Sequence, residues 1–187
     1  MSAQLPRRVP GPVPEVGHRL ELTPSVRQIV ALASFQQEIF DLGSDVGEIA
    51  RRAAARARAL SWADGAVVEI LQGDGSVHRG AVGAGSRSRL AASKRGDPWH
   101  GLMGGTAEVC DDTEDDPRVD PLVCRRLRTR SVMTVPLHRG EVRLGAITVT
   151  SSRPNAFDDA QTAVLQLLAG LVTSAAIGSR TVSYTHL

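Results

Sequence analysis

Hydrophobic positions along the chain predict two helices before any strand. Apolar residues recur with a helical period after Thr23 and Pro24, a typical cap and first-turn pair, and Gly43 ends this pattern. The apolar face of this first predicted helix comprises Val26, Ile29, Val30, Ala33 and Phe40. Ser44 is the predicted cap of a second helix, whose apolar stripe comprises Val46, Ile49, Ala50, Ala53, Ala57 and Leu60.

Period-two patterns then predict a β-hairpin followed by a long connection. Residues 66–71 and 77–82 alternate as strands, and the glycines on either side of Asp74 suit a tight turn between them. Residues 83–105 are rich in glycine, serine and arginine, and one helical turn is expected over 88–93. Because connections of this length often carry function, this segment is the predicted cover of a pocket.

The stretch from 107 to 151 predicts the centre of the fold. A short strand over 107–110 leads into an acidic loop, and Pro121 starts a short helix. An apolar strand with Val132, Val135 and Leu137 follows, then a turn at Gly140 and a last strand. In that last strand one face is predicted to carry Val142, Leu144, Ala146, Thr148 and Thr150, and the other face Gly145, Ile147 and Val149. Since both faces are mostly apolar or small, this strand is predicted to be central and covered on both sides.

A long apolar helix is predicted at the end of the pattern. Pro154 and Asn155 break the chain, and Asp158 and Asp159 place negative charge where a helix N-terminus favours it. The predicted helix carries Val164, Leu165, Leu167, Leu168, Leu171, Val172, Ala175 and Ile177. This is more apolar surface than one face packed on a sheet needs, so we expect part of it to pack against a second copy of the chain.

The order of several short segments resembles the second half of a GAF domain, a sensor module of bacterial signalling proteins. These segments are Cys-Asp-Asp-Thr, Asp-Pro-Arg-Val-Asp, Cys-Arg-Arg-Leu, Arg-Ser-Val-Met-Thr-Val-Pro-Leu and Leu-Gly-Ala-Ile-Thr-Val. The resemblance extends more weakly over 26–177. It implies an α+β, PAS-related fold with an antiparallel sheet of five to six strands. Terminal helices would cover one face, and loops with a short helix would cover the other.

Domain limits follow from the resemblance and from composition. The GAF domain is expected over 23–178, and the proline- and glycine-rich residues 1–22 are a predicted disordered lead. Residues 179–187 are a predicted non-native or disordered tail, because 181–187 resembles translated adaptor sequence.

Composition narrows the classes of function. The chain has 187 residues, enough for one domain, and a net charge of +2, too small to favour nucleic acid or an anionic membrane as a partner. Two cysteines do not make a disulfide framework, and the sequence lacks an uninterrupted apolar run long enough to cross a membrane. A cytoplasmic protein is predicted.

The resemblance also places a candidate site between the sheet and the layer of loops. The residues that would line it are Trp99, Asp111, Cys124, Arg130, Ser131 and Thr134. Arg130 is the predicted contact for an anionic ligand, because a guanidinium can form two parallel hydrogen bonds with an anion. The alternative is that Arg130 pairs with Asp112 or Asp120 in a structural salt bridge.

Cysteine chemistry is a further hypothesis. Cys124 lies where photoreceptor relatives attach a bilin, but those relatives usually follow the cysteine with histidine, and here Arg125 follows. Methionine sulfoxide reductases of this fold use three cysteines, whereas this chain has two. The alternative is that Cys124 is a compact packing residue on the short helix.

Metal, haem and cyclic nucleotide sites have weaker support. The acidic run 111–116 could hold a hard cation but lacks the pattern of a calcium loop, and turn formation explains the same residues. Five scattered histidines include His100 as a candidate haem ligand, and Asn155 and Phe157 match only part of the family's cyclic nucleotide motif. The cofactor is therefore unknown, and none is required.

The predicted function is that of a non-catalytic sensory or regulatory GAF domain. Small-molecule binding and dimerisation through the terminal helices would be coupled to an output domain beyond the C-terminal end. A diguanylate cyclase or phosphodiesterase, a histidine kinase, a phosphatase or an RNA-binding antiterminator would be typical outputs. The alternatives are a dimerisation module without ligand, a bilin- or haem-binding photoreceptor or redox sensor, and a cysteine-dependent free methionine sulfoxide reductase.

Overall fold

The computed structural model describes residues 24–43, 45–84, 102 and 105–183. Four helices and five strands appear in this part of the chain, in the order α1 Pro24–Leu42, α2 Val46–Ser61, β1 Gly65–Leu71, β2 Val77–Gly83, β3 Glu108–Cys110, α3 Pro121–Leu127, β4 Ser131–Arg139, β5 Val142–Ser151 and α4 Asp159–Ser183. The strands form one antiparallel sheet in the order β2-β1-β5-β4-β3. This confirms the predicted α+β class with a five-stranded sheet.

Strand β5 is the central strand, as the sequence pattern predicts. It is hydrogen-bonded to β1 on one edge and to β4 on the other. Every residue from Leu144 to Ser151 is buried. Because β5 is buried on both faces and paired on both edges, a change of its register would move its side chains to the wrong layer on both sides of the sheet.

One face of the sheet is apolar over most of its length and carries the main core. The register aligns Met133 with Val149 and Ala66, and Val135 with Ile147 and Val68. Helices α2 and α4 cover this face, and α1 packs on both of them. The main core therefore lies between the sheet and a layer of three helices.

A β-bulge changes the predicted faces of β5. Leu137 pairs with Gly145 and His138 with Arg143, so Leu144 is an extra residue opposite β4. Leu144 consequently joins the core with Ile147, whereas the sequence alternation placed it on the opposite face. Gly145 has a φ of +147°, and a Cβ there would lie 1.9 Å from the carbonyl oxygen of Glu69, so only glycine fits.

Helix α1 has the predicted limits but the wrong predicted face. Leu32 and Phe35 are its buried residues, and Ile39 and Leu42 pack beside them. The face predicted to be apolar is instead exposed, and Phe40 is 80% exposed. Helix α1 has apolar side chains on two sides, so periodicity alone could not decide which side faces the core.

Helix α2 confirms its predicted stripe, and its start is set by Asp45. The carboxylate of Asp45 accepts a hydrogen bond from the backbone N–H of Glu48 at 2.9 Å. The predicted cap, Ser44, lies outside the described residues. Every residue of the predicted stripe is buried, and the stripe comprises Val46, Ile49, Ala50, Ala53, Ala57 and Leu60.

Helix α4 is the longest element and extends past the predicted end of the domain. A capping box starts it, since Gln161 accepts from the Asp158 N–H at 2.7 Å and Asp158 accepts from the Gln161 N–H at 2.9 Å. Residues 159–178 are long and apolar enough to span a membrane by length and composition, but Leu165, Leu168 and Val172 are buried in the core of the domain. The helix continues to Ser183, so residues 179–183 are helical where a tail was predicted. Residues 184–187 lie outside the described part.

Gly80 should be indispensable for the contact between α2 and β2. A Cβ at Gly80 would lie 2.0 Å from the carbonyl oxygen of Ala50, which is backbone and cannot rotate away. We expect Gly80→Ala to lower the free energy of unfolding by roughly 2–3 kcal/mol, as overpacked cores do. Urea unfolding measures this loss.

Gly73→Ala is the matched control. Nothing lies within 4 Å of a Cβ at Gly73 in the hairpin turn. The control should change the stability by less than about 0.5 kcal/mol. Equal effects of the two substitutions would contradict the close contact at Gly80.

Candidate ligand-binding face

The second face of the sheet differs from the first because it carries polar side chains. The register aligns Glu108, Thr134 and Thr148 in one row across β3, β4 and β5. The neighbouring row aligns Ala146 with Glu69 and Arg79. Side chains alternate between the two faces of a strand, so these residues point away from the three helices. We call this surface the polar face; its polar members are Glu69, Arg79, Glu108, Thr134, Thr148 and Thr150.

The threonines of the polar face are buried although they lie opposite the main core. Thr134, Thr148 and Thr150 are each at most 6% exposed. The hydroxyl oxygens of Thr134 and Thr148 are 3.4 Å apart, and the Arg79 guanidinium lies 3.4 Å from the Glu69 carboxylate. A covered sheet surface with hydroxyl, carboxylate and guanidinium groups can form directional hydrogen bonds with a small polar molecule.

One end of this face is closed by α3 and a second, smaller core. Cys110, Val119, Cys124 and Val132 form this core together with Leu102. Asp120 caps α3 by accepting hydrogen bonds from the N–H groups of Leu122 and Val123, and Pro121 occupies the first turn.

The inward side of α3 carries Cys124, which is the buried residue of the helix, whereas the apolar Leu122 is 63% exposed.

Both cysteines are buried thiols rather than reactive thiolates. Burial raises the pKa of Cys110 to about 12, and the nearby Asp116 carboxylate raises it further. Burial likewise raises the pKa of Cys124 to about 11. A thiol must lose its proton to act as a nucleophile, so neither cysteine is activated for catalysis or chromophore attachment in this arrangement. The packing interpretation of Cys124 therefore fits better.

Arg130 forms the salt bridge with Asp112 that the sequence offered as an alternative. Its Nε lies 3.0 Å from one oxygen of Asp112 and its terminal nitrogen 2.5 Å from the other. This two-point hydrogen bond lowers the pKa of Asp112. Arg130 is therefore occupied by a carboxylate of its own chain and is a weaker candidate for an anionic ligand.

Arg118 also forms ion pairs with carboxylates of its own chain, at the edge of the sheet formed by β3. Its guanidinium contacts Asp116 at 2.6 Å, Glu108 at 2.8 Å and the backbone oxygen of Val109 at 2.9 Å. Hydrogen bonds from Arg118 lower the pKa of Asp116 to about 2. Arg118 thus links the acidic loop to β3 by hydrogen bonds. It also covers part of the outer edge of β3, which has no neighbouring strand among the described residues.

The acidic run behaves as a turn-forming loop in the structure. Asp112 accepts a hydrogen bond from the N–H of Glu114, and Asp116 accepts one from the N–H of Arg118. Within the described residues no group of three or more His, Cys, Asp or Glu side chains is arranged to hold a metal ion.

The predicted site residues do not form one cluster. Thr134 lies on the polar face and Cys124 in the small core beside it. Ser131 follows the alternation of Met133 toward the opposite face, and its hydroxyl donates to the backbone oxygen of Arg153 at 2.8 Å. Asp111 is exposed, and its backbone oxygen accepts a hydrogen bond from the N–H of Asn155. Trp99 lies outside the described part of the chain. So does most of the predicted pocket cover over 83–105, of which only residues 83, 84, 102 and 105 are described.

Sequence reasoning missed several residues of the polar face. These are Glu69, Arg79, Glu108, Thr148 and Thr150. Glu69 was visible as a single charge between Val68 and Ile70 in a predicted strand. Polar residues at alternating positions in buried strands were the available signal.

The described residues form an α+β domain with three helices on one face of an antiparallel sheet and with α3 and the acidic loop beside the other. A family model described as GAF domain matches residues 43–175, which is more than half of the chain. The chain belongs to the GAF domain family, a family of sensory modules in signalling proteins. No curated protein matches this sequence.

Solved structures share the fold at low sequence identity. The free methionine-R-sulfoxide reductase of Neisseria meningitidis, solved with its substrate, has a TM-score of 0.63 and 17% identity, with 85% of this chain and 93% of that chain covered. A GAF domain assigned to a sensor histidine kinase of Pseudomonas syringae pv. tomato has a TM-score of 0.61 and 20% identity, covering 86% and 92%.

A third similar structure is the chromophore-binding domain of a bacteriophytochrome from R. palustris. It has a TM-score of 0.65 and 13% identity, covering 87% of this chain and 64% of that chain. At these identities the three similarities establish the fold alone.

The ion pair of Asp116 should make the acidic loop sensitive to acid. Its carboxyl pKa is lowered from 3.8 to about 2, so the stabilisation is complete above 3.8 and is lost as the pH falls through about 2. We expect Asp116→Asn to reduce the free energy of unfolding by roughly 1–2 kcal/mol at neutral pH. The difference from the unmodified protein should shrink as the pH falls from 3.8 toward 2, as measured by urea unfolding at several pH values.

Asp111→Asn is the control for this experiment. The Asp111 side chain is exposed and forms no ion pair within the described residues. A constant difference for Asp116→Asn at every pH, or an equal loss for Asp111→Asn, would show that the Arg118 pair is not the cause.

Proposed function

We propose that this GAF domain is a non-catalytic sensory module that binds a small polar molecule on the polar face. The observation that supports this most directly is the difference between the two faces of one sheet. The helix-covered face is apolar along β1 and, apart from Ser131 and Ser151 at one end, along β4 and β5, whereas the polar face buries three threonines in β4 and β5. The hydroxyls of Thr134 and Thr148 are close enough to bond each other, and since each hydroxyl can both donate and accept, they could also bond a ligand.

The proposal of a regulatory rather than an enzymatic role agrees with the state of the cysteines. The reductase from N. meningitidis shares only the fold at 17% identity. Here both thiols are buried and have raised pKa values. A cytoplasmic setting belongs to the same proposal, because both cysteines are free.

A chain of backbone hydrogen bonds supports coupling from the ligand side to α4. Thr113 donates to the oxygen of Arg130 at 2.8 Å, and Arg130 donates to the oxygen of Ser151 at 2.7 Å. Asn155, just before α4, donates to the oxygen of Asp111 at 2.7 Å. A ligand that favours one arrangement of the acidic loop would therefore also favour one position of the start of α4.

The outer faces of the terminal helices support a homodimer. On α1, the exposed residues Val26, Val30, Ala33 and Phe40 follow each other at spacings typical of helix pairing. On α4, no charged side chain occurs between residues 160 and 178, and Leu167 is 61% exposed. We propose that a second copy of the chain covers these faces. Movement of α4 within the dimer would then pass the signal to an output domain of the kinds expected above.

Binding of the ligand should depend on the threonine hydroxyls of the polar face. In a thermal-shift screen of metabolites, we expect at least one polar compound to raise the melting temperature, since a ligand that binds only the folded state stabilises it. The double substitution Thr134→Val and Thr148→Val keeps the side-chain shape and removes both hydroxyls. It should abolish the shift for that compound.

Thr173→Val on α4 is the matched control, since Thr173 is partly buried on the other side of the sheet. It should leave the ligand shift unchanged. A screen without any stabilising compound would favour a dimerisation module without ligand. A shift that survives the double substitution would place binding elsewhere.

The dimer should be sensitive to charge on α4. Leu167→Glu should convert a dimer into a monomer, because a carboxylate buried without a partner in a helix interface costs several kcal/mol. Size-exclusion chromatography with light scattering measures the mass.

Leu122→Glu on α3 is the control, because Leu122 is 63% exposed and Leu167 61%. The control should remain dimeric. A monomeric unmodified protein, or a dimer that tolerates Leu167→Glu, would refute the proposed interface.

A further inference from the structure

Trp62 at the end of α2 combines two unfavourable features. It has a left-handed backbone conformation with a φ of +51°, at a position where helices usually end with glycine. A bulky residue is rarely found there because its Cβ crowds the backbone. The indole side chain is also 65% exposed. Strain and exposure at one residue often indicate function.

The indole forms one side of a groove between two helices. The groove has a volume of about 270 Å³ and lies between the first turns of α1 and the last turns of α2. Ala31, Ala59 and Leu60 contribute its apolar surface, and Gln28 adds one amide. This volume is just below the usual range of about 300–1,000 Å³ for small-molecule sites, so only a small ligand would fit.

Two arginines line the same groove, and one of them is available to an anion. Arg56 is paired with Glu38. Arg27 lines the groove and forms no ion pair within the described residues. An aromatic surface beside an available guanidinium matches a flat ring that carries a negative charge.

We propose that this groove is a second binding site, specific for small aromatic anions. The ring would lie against Trp62 and the apolar surface, and the carboxylate or phosphate would pair with Arg27. The groove lies in the helix layer, on the other side of the sheet from the polar face. Its existence therefore does not depend on the sensory function proposed above.

Titration with 1-naphthoate tests the site. The indole N–H signal of Trp62 in the ¹H–¹⁵N NMR spectrum of the full chain should shift in a saturable way. Neutral 1-naphthalenemethanol and non-aromatic cyclohexanecarboxylate should bind more weakly, because each lacks one of the two interactions. Arg27→Gln should weaken naphthoate binding by up to about fivefold, the upper end for an exposed ion pair.

Trp62→Gly separates binding from folding. Glycine adopts the left-handed conformation freely, so this variant should keep or raise the melting temperature by a few degrees. Binding, followed by the signals of Ala59 and Leu60, should weaken at least tenfold. Arg126→Gln, an exposed arginine on α3, should change neither property.

Three results would overturn the proposal. The first is naphthoate binding that Trp62→Gly leaves unchanged. The second is equal binding of the neutral alcohol, which would remove the role of Arg27. The third is a large fall in melting temperature for Trp62→Gly, which would make Trp62 a structural residue.

Discussion

The structure depends on the pairing of β5 with β1 and β4 in a single register. Because β5 is buried on both faces, its alternation decides the composition of two layers at once. Ile147 and Val149 face the helices, while Thr148 and Thr150 lie on the polar face. A shift of one residue would place threonine hydroxyls in the main core and expose valine and isoleucine to the polar side. The apolar core therefore maintains the geometry of the polar face.

Arginine–carboxylate pairs organise the acidic loop at the sheet edge. Arg130 holds Asp112 and Arg118 holds Asp116, so two carboxylates that could have served a cation are engaged by the protein itself. The same pairs keep the loop near β3, and the loop is hydrogen-bonded to the segment before α4. The loop thus connects the edge of the polar face to the segment that precedes the longest helix. The sensory function proposed above needs such a connection, since a ligand on one side of the sheet would have to alter packing on the other.

The helix layer carries more apolar surface than the sheet can cover. Helix α1 buries Leu32 and Phe35 and leaves a second apolar side exposed, and α4 is uncharged over most of its length. These exposed apolar faces are the basis of the dimer proposed above. The groove at Trp62 lies in the same layer but has a different character, because arginines and an aromatic ring replace the uniform apolar surface.

The sequence by itself determined the kinds and order of the elements, the central position of β5, the buried stripe of α2 and the family. These properties follow from local periodicity and turn residues, which a linear pattern contains. Only the tertiary structure decided that Leu144 joins the main core, that Ser131 and Thr134 point to opposite faces, and that Arg130 pairs with Asp112. It also decided which side of α1 is buried. A bulge, a strand register and an ion pair between distant residues depend on non-local packing, which no local pattern contains.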